Sequence, residues 1–177
     1  MKGVIFTEFL GMVAGRFSEE MVDDIIDDAD LPSGGAYTSV GRYDHSEIVS
    51  LVGALSGRTG APVPDLVKAF GHHLFGRLSA LHPEFLLGVG DALDFLESVD
   101  KVIHVEVLKL YPDAMLPRFD TTRDGKRLQM IYSSPRGMED LAEGLIRGCA
   151  EHFSQDLHIE RHARPDGSTE FNLENAT

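Results

Sequence analysis

Tyr132-Ser133-Ser134-Pro135-Arg136 stands where the pattern of this chain changes. Before it, Lys126 to Ser133 alternates apolar and polar residues, as a half-buried strand does. After it, Met138 to Phe153 carries Met138, Leu141, Leu145, Ile146 and Cys149 at helical spacing. The run is therefore a strand-to-helix junction. Alternate residues of a strand share a face, so Tyr132 and Ser134 point the same way. Arg136 follows at the turn and can reach the same point. Two hydroxyls and a planar guanidinium fork suit a compact dianion. Each of these residues alone is weak, because a strand ending in Ser-Pro-Arg commonly just caps the next helix.

Outward from the junction, Arg118 to Thr122 precedes Arg123-Asp124-Gly125, a hairpin signal. A second hairpin joins Leu157 to His162 with Ser168 to Glu174 around Arg164-Pro165-Asp166-Gly167. Upstream the chain reads as helices. Ile5, Phe9, Val13 and Phe17 recur at steps of four. Ser18 is an N-cap with Glu19 and Glu20 in the first turn, for a helix burying Met21, Val22, Ile25 and Ile26. Pro32-Ser33-Gly34-Gly35 is a loop. Asp44 and Glu47 form a capping box for a helix to about Arg58 that buries Ile48, Leu51, Val52 and Leu55. Gly60 and Pro62 stop it. From Pro64 to Ala80 the inward residues are Leu66, Val67, Phe70, Leu74 and Leu78. Pro83 breaks the chain. A short helix from Ala92 to Val99 precedes Asp100, read as the N-cap of the segment from His104 to Pro112. Ile103, Val107 and Leu110 have helical spacing there, while Val105 and Val107 alternate like a strand; helix is the reading adopted. The expected fold is α+β, with an N-terminal helical lobe followed by helices and a four-stranded antiparallel sheet. No repeat, low-complexity tract or long linker divides it.

At 177 residues and 42% hydrophobic, the chain can bury both a core and an apolar cofactor pocket. A net charge of −13 disfavours nucleic acid and anionic membrane as partners, since both need a basic face. Glu19, Glu20, Asp23, Asp24, Asp27, Asp28 and Asp30 read as a solvated helix face. The single cysteine, Cys149, leaves no intramolecular disulfide and no cysteine pair for a metal. No signal-peptide pattern or bilayer-length apolar run is evident, so a soluble cytoplasmic protein is expected.

Among the eight histidines, no pair has zinc-motif spacing. His72 and His73 point about 100° apart on a helix. His158 and His162 share a strand face without a third ligand. No nucleophile elbow, phosphate-binding glycine loop or spaced acidic metal cluster is present. His104, in His104-Val105-Glu106-Val107-Leu108-Lys109-Leu110-Tyr111-Pro112, is taken alone an ordinary core or surface histidine, and it is singled out by its place upstream of the Tyr/Ser/Arg run. One imidazole on a largely apolar segment and a clamp for two carboxylates together fit a haem.

With those residues, the chain resembles the haem nitric oxide/oxygen-binding (H-NOX) domains, in their stand-alone bacterial form. The likeness covers essentially the whole chain. It runs through Met1-Lys2-Gly3-Val4-Ile5-Phe6, the His104 to Pro112 segment, Leu116-Pro117-Arg118-Phe119 and the Tyr132-x-Ser134-x-Arg136 signature. The resemblance implies a single domain over 1–177, with a distal lobe to about 62 and a proximal lobe from about 63, and haem b buried between. It implies His104 as the proximal iron ligand, Tyr132, Ser134 and Arg136 on the propionates, and Ile5 and Pro117 against the porphyrin. Oxygen-binding members carry a distal tyrosine five residues after the signature arginine; here that position is Leu141. The companion positions are Leu74 and Phe9, and Leu145 is counted with the cofactor-binding residues. All are apolar.

An apolar distal side favours nitric oxide, which needs no hydrogen-bond donor, over oxygen, which does. His73 and Tyr43 are the polar residues that could still reach it. With one cysteine, the C-terminal zinc site of some members is not expected. The implied function is a gas sensor, not an enzyme, that takes nitric oxide and also carbon monoxide. Cleavage of the iron–His104 bond would signal in trans to a histidine kinase or a cyclic-di-GMP enzyme. The rivals are a haem-free interaction module and a haem enzyme of the peroxidase type.

Overall fold

The computed structural model describes residues 1–176; Thr177, the last residue of the 1–177 unit, lies outside the described residues. Helix α1 (Gly3–Arg16) buries Phe6, Phe9, Met12 and Val13, while Phe17, past its end, is exposed. Helix α2 (Glu19–Asp28) begins where Ser18 Oγ accepts the Met21 N–H at 3.1 Å. Its acidic face is not wholly solvated, because Arg58 spans Asp24 and Asp28 from α3 (His45–Thr59). Asp44 caps α3 through the Ser46 N–H at 2.8 Å, but the expected capping box does not form. Glu47 turns inward instead, where the hydroxyls of Ser33 and Tyr37 donate to its carboxylate. Burying that carboxylate is tolerable only because both donors reach it.

Helix α4 (Val63–Leu81) is common to two hydrophobic cores. Leu66, Phe70 and Leu74 join the first, with Phe6, Phe9, Ile25, Leu51 and Leu55. Phe75 joins the second, with Leu93, Leu128, Met130, Ile146, Phe171 and Leu173. Each fully buried side chain of this kind contributes about 1.5–3 kcal/mol.

After a 3-10 turn (Pro83–Leu86), α5 (Ala92–Ser98) runs through a π-helical turn (Val99–Ile103) into α6 (His104–Leu110). The helical reading of the His104 segment holds. Asp100 is not its N-cap, because the π turn makes the helix continuous. The sheet follows the two hairpins: β1 (Arg118–Asp124), β2 (Arg127–Ser133), β3 (Leu157–Ala163) and β4 (Thr169–Asn175), in the antiparallel order β1-β2-β4-β3. Phe119 of β1 lies opposite Tyr132 of β2. Helix α7 (Glu139–His152) sits between the hairpins and crosses α4 backbone to backbone. A β-carbon on Gly71 would stand 2.4 Å from the Leu141 carbonyl, and one on Gly144 2.2 Å from that of Lys68. No helix among the described residues is long and apolar enough to cross a membrane.

A cofactor-sized cavity between the two cores

The π turn sets the position of His104. It widens the helix so that the His104 N–H reaches the Val99 carbonyl. The imidazole, 14% exposed, lies with Nδ1 3.3 Å from Asp100 Oδ1 and its ring centroid 5.9 Å from that of Phe119. Burial holds its pKa below the ordinary histidine value, against the opposing hydrogen bond and charge of Asp100. A neutral imidazole is the form that binds metal.

Strand β2 alternates Leu128, Met130 and Tyr132 inward, and Ser134 continues that face past its end. The Tyr132 hydroxyl accepts the Met138 N–H at 3.3 Å and interacts with Ser134. Burial raises its pKa, so the phenol keeps its proton for donation. Ser134 Oγ accepts the Arg136 N–H at 3.2 Å. Arg136 Nη1 donates to the Met115 carbonyl at 2.9 Å, which leaves the rest of its fork for another acceptor. Its guanidinium also acts on the Met1 ammonium, whose pKa is lowered by burial first, then by Arg136 and Arg42.

These groups open on one cavity of about 650 Å³. That lies within the roughly 300–1,000 Å³ usual for small-molecule and cofactor sites. His104, Tyr132, Ser134, Arg136, Ile5, Pro117, Leu74, Leu141 and Leu145 all line it. Phe9 is not on this wall. The face that α1 turns to the cavity carries Val4, Ile5 and Glu8; Phe9, wholly buried, is turned against Phe70, with ring centroids 5.2 Å apart at 84°. His73 and Tyr43 do not line it either. His73 lies 3.8 Å from Glu8, and the Tyr43 hydroxyl takes the Thr38 N–H at 2.9 Å among Phe6 and Tyr37.

Polar residues of the wall or its support that escape sequence reasoning include Glu8, His82 and Asp100, with Thr7 and Ser79 also on the lining. Glu8 lines the cavity and is held by Arg77 Nε at 2.8 Å. A carboxylate accepts hydrogen bonds and cannot donate one. His82 also lines it, stacked on Phe85 and 3.0 Å from Glu84. Asp100 stands behind His104. Helical spacing links Val4 to Glu8 and Asp100 to His104, but the partners Arg77 and Phe119 come from elsewhere in the chain. At the cavity's edge, Asp113 accepts from Lys2 at 2.8 Å and Arg42 at 3.3 Å, and Lys2 Nζ lies 5.2 Å from the Tyr111 ring centroid. His158 and His162 pair with Glu160 at the surface. Cys149 is buried, and burial pushes its thiol pKa far up.

The donor set fits a haem: an apolar slot, one neutral imidazole, and a tyrosine, a serine and an arginine for two carboxylates. An α+β fold with such a slot between two cores defines a protein built around a flat apolar cofactor. A family model for haem-NO-binding proteins matches residues 2–161. The fold is similar to the H-NOX protein from K. algicida in the Fe(II) unliganded state, at 38% identity over 100% of this chain and 97% of that one, with a TM-score of 0.94. It is similar to the S. oneidensis H-NOX protein in the Fe(II)NO state, at 30% identity, 100% of both chains and a TM-score of 0.92. The Shewanella woodyi H-NOX, bound to IWP-051 in the Fe(II)CO state, is 40% identical over 99% of this chain and 95% of that one, with a TM-score of 0.84. The comparison with curated proteins finds no match. The chain belongs to the haem-NO-binding, or H-NOX, family, whose members are haem-based gas sensors and not enzymes.

Proposed function

We propose that this chain binds haem b and senses nitric oxide, taking carbon monoxide as well but keeping no oxygen. The observation that carries this is the apolar wall of Ile5, Leu74, Leu141 and Leu145 in the cavity that also holds His104. Oxygen on ferrous iron needs a hydrogen-bond donor, and that wall offers none. His73 and Tyr43 lie off the lining, Glu8 can only accept, and His82, which also lines the cavity, is stacked on Phe85 with Nδ1 3.0 Å from Glu84. Haem, when bound, supplies a ferrous iron with one position for a protein nitrogen and one for a diatomic gas. His104 holds it as a neutral imidazole, and Tyr132, Ser134 and Arg136 hold the two propionates. Ile5 and Pro117 press on the ring. The lobe of about residues 1–62 is the distal one and the lobe from about 63 onward the proximal one, with α4 and α7 of the latter also reaching the distal wall through Leu74, Leu141 and Leu145.

In this reading His104 would be the protein group released from the haem when nitric oxide is bound. Its release frees α6, which presents Val105 and Leu108 at the surface. The altered surface is read in trans by a histidine kinase or a cyclic-di-GMP enzyme, in the cytoplasm. The nitric oxide and carbon monoxide states of the Shewanella relatives support the choice of gases.

The test is spectroscopic. Protein expressed with a haem supply should be coloured. Reduced, it should take up nitric oxide with loss of the iron–histidine bond and form no stable oxygen complex in air. Colourless protein overturns the cofactor reading. A stable oxygen complex overturns the selectivity, and peroxidase turnover of the coloured protein would favour the enzyme rival.

A further inference from the structure

Asp100 is placed as no helix end requires. One oxygen, Oδ1, accepts the Phe119 N–H at 3.0 Å and lies 3.3 Å from His104 Nδ1. The residue sits inside a continuous helix, in the π turn, four residues before His104. π turns are rare and recur at functional sites. Phe119 belongs to β1, the edge strand of the sheet, and is paired with Tyr132. The Phe119 ring stands between those of His104 and Tyr132, at 5.9 Å and 5.5 Å. A single carboxylate thus ties the imidazole to the strand that backs the clamp.

A tie between helix and strand would account for the Phe119 contact alone. It does not account for the same oxygen facing a ring nitrogen of the residue aimed at the cofactor. A metal-bound histidine commonly donates its other N–H to a carboxylate, which fixes tautomer and ring orientation and raises its basicity. We propose that Asp100 is the positioning residue of the proximal ligand. It holds the proton of His104 on Nδ1, leaves Nε2 as the ligating nitrogen, and couples that ring to Phe119. This rests on the reading of His104 as the iron ligand.

The test uses Asp100→Asn and Asp100→Ala in the haem-loaded full chain, with the haem-free protein alongside. Asp100→Asn keeps an acceptor for both N–H groups and removes the charge. Its iron–histidine stretching band in the reduced protein should move to lower wavenumber, with Tm nearly unchanged. Asp100→Ala should show the same shift and lose haem to a scavenging apoprotein about 10–100-fold faster. In the haem-free wild type, nitrogen NMR should find His104 protonated on Nδ1. An unmoved band in both variants, or the Nε2–H tautomer, overturns the proposal and leaves Asp100 a structural tie. His104→Gly separates the two readings. If the wild-type band persists in that variant without added imidazole, the ligand assignment itself fails, and the role of Asp100 falls with it.

Discussion

Arg136 spends one nitrogen on the Met115 carbonyl and keeps the others toward the cavity. Its removal takes an anchor from the segment before β1 and, in the proposed role, takes the cation from a propionate. A hydrogen bond to a charged group is worth about 1.5–3 kcal/mol. Arg136→Ala should speed haem transfer to a scavenging apoprotein about ten- to a hundredfold. Ser133→Ala, out of phase on the strand and absent from the lining, should change it little; equal effects would mean that the strand face is misassigned. The convergence of Tyr132, Ser134 and Arg136 on one cavity was legible because they are neighbours in the chain and period two decides their direction. Glu8, His82 and Asp100 were not, since each owes its role to groups brought in by folding. Steps of four mark the apolar stripe of α1 without saying that Phe9 is turned against Phe70 of α4.

At the level of elements, the crossing of α4 and α7 rests on absent side chains. A methyl group on Gly144 would have to displace main chain of Lys68, which cannot swing aside. Gly144→Ala should cost about 1–3 kcal/mol by overpacking, seen as a lower Tm. Gly76, with open space beside it on the same α4, is the control. Gly76→Ala should stabilise by roughly 0.5–1 kcal/mol, because it relieves only helix entropy. A Gly144→Ala variant as stable as the parent would refute the close crossing. Hydrophobic periodicity disclosed the helices and both hairpins to within a residue or two. It could not disclose the π turn, whose signature is a shift in backbone hydrogen bonding that leaves the side-chain pattern intact. For that reason Asp100 read as a cap. Glu47 read as half of a capping box because a box is a local pattern, and its actual partners lie in the loop before α3.

Over the whole molecule, Asp113 fastens the stretch after α6 to the N-terminal lobe through Lys2 and Arg42. The Lys2 hydrogen bond holds its carboxyl below the ordinary value of 3.8. A carboxyl depressed in the folded state adds stability above the unfolded value and loses it as pH falls through the folded one. The fastening should thus be intact at neutral pH and fade in acid below about pH 4. Because the charges are exposed, salt should weaken it too. Asp113→Asn should lower Tm slightly at low ionic strength and remove part of the salt dependence; an identical salt response in both proteins would dismiss the contact. Mechanically, this makes α6 a lever with a fixed fulcrum. Its far end, Leu110, lies three residues before the contact at Asp113, and His104 stands six residues from that end, an arm of about 9 Å at 1.5 Å per residue. In the proposed release, a pull at the imidazole is resisted at that end. It becomes torque about the pin, and the pin is attached to the opposite lobe.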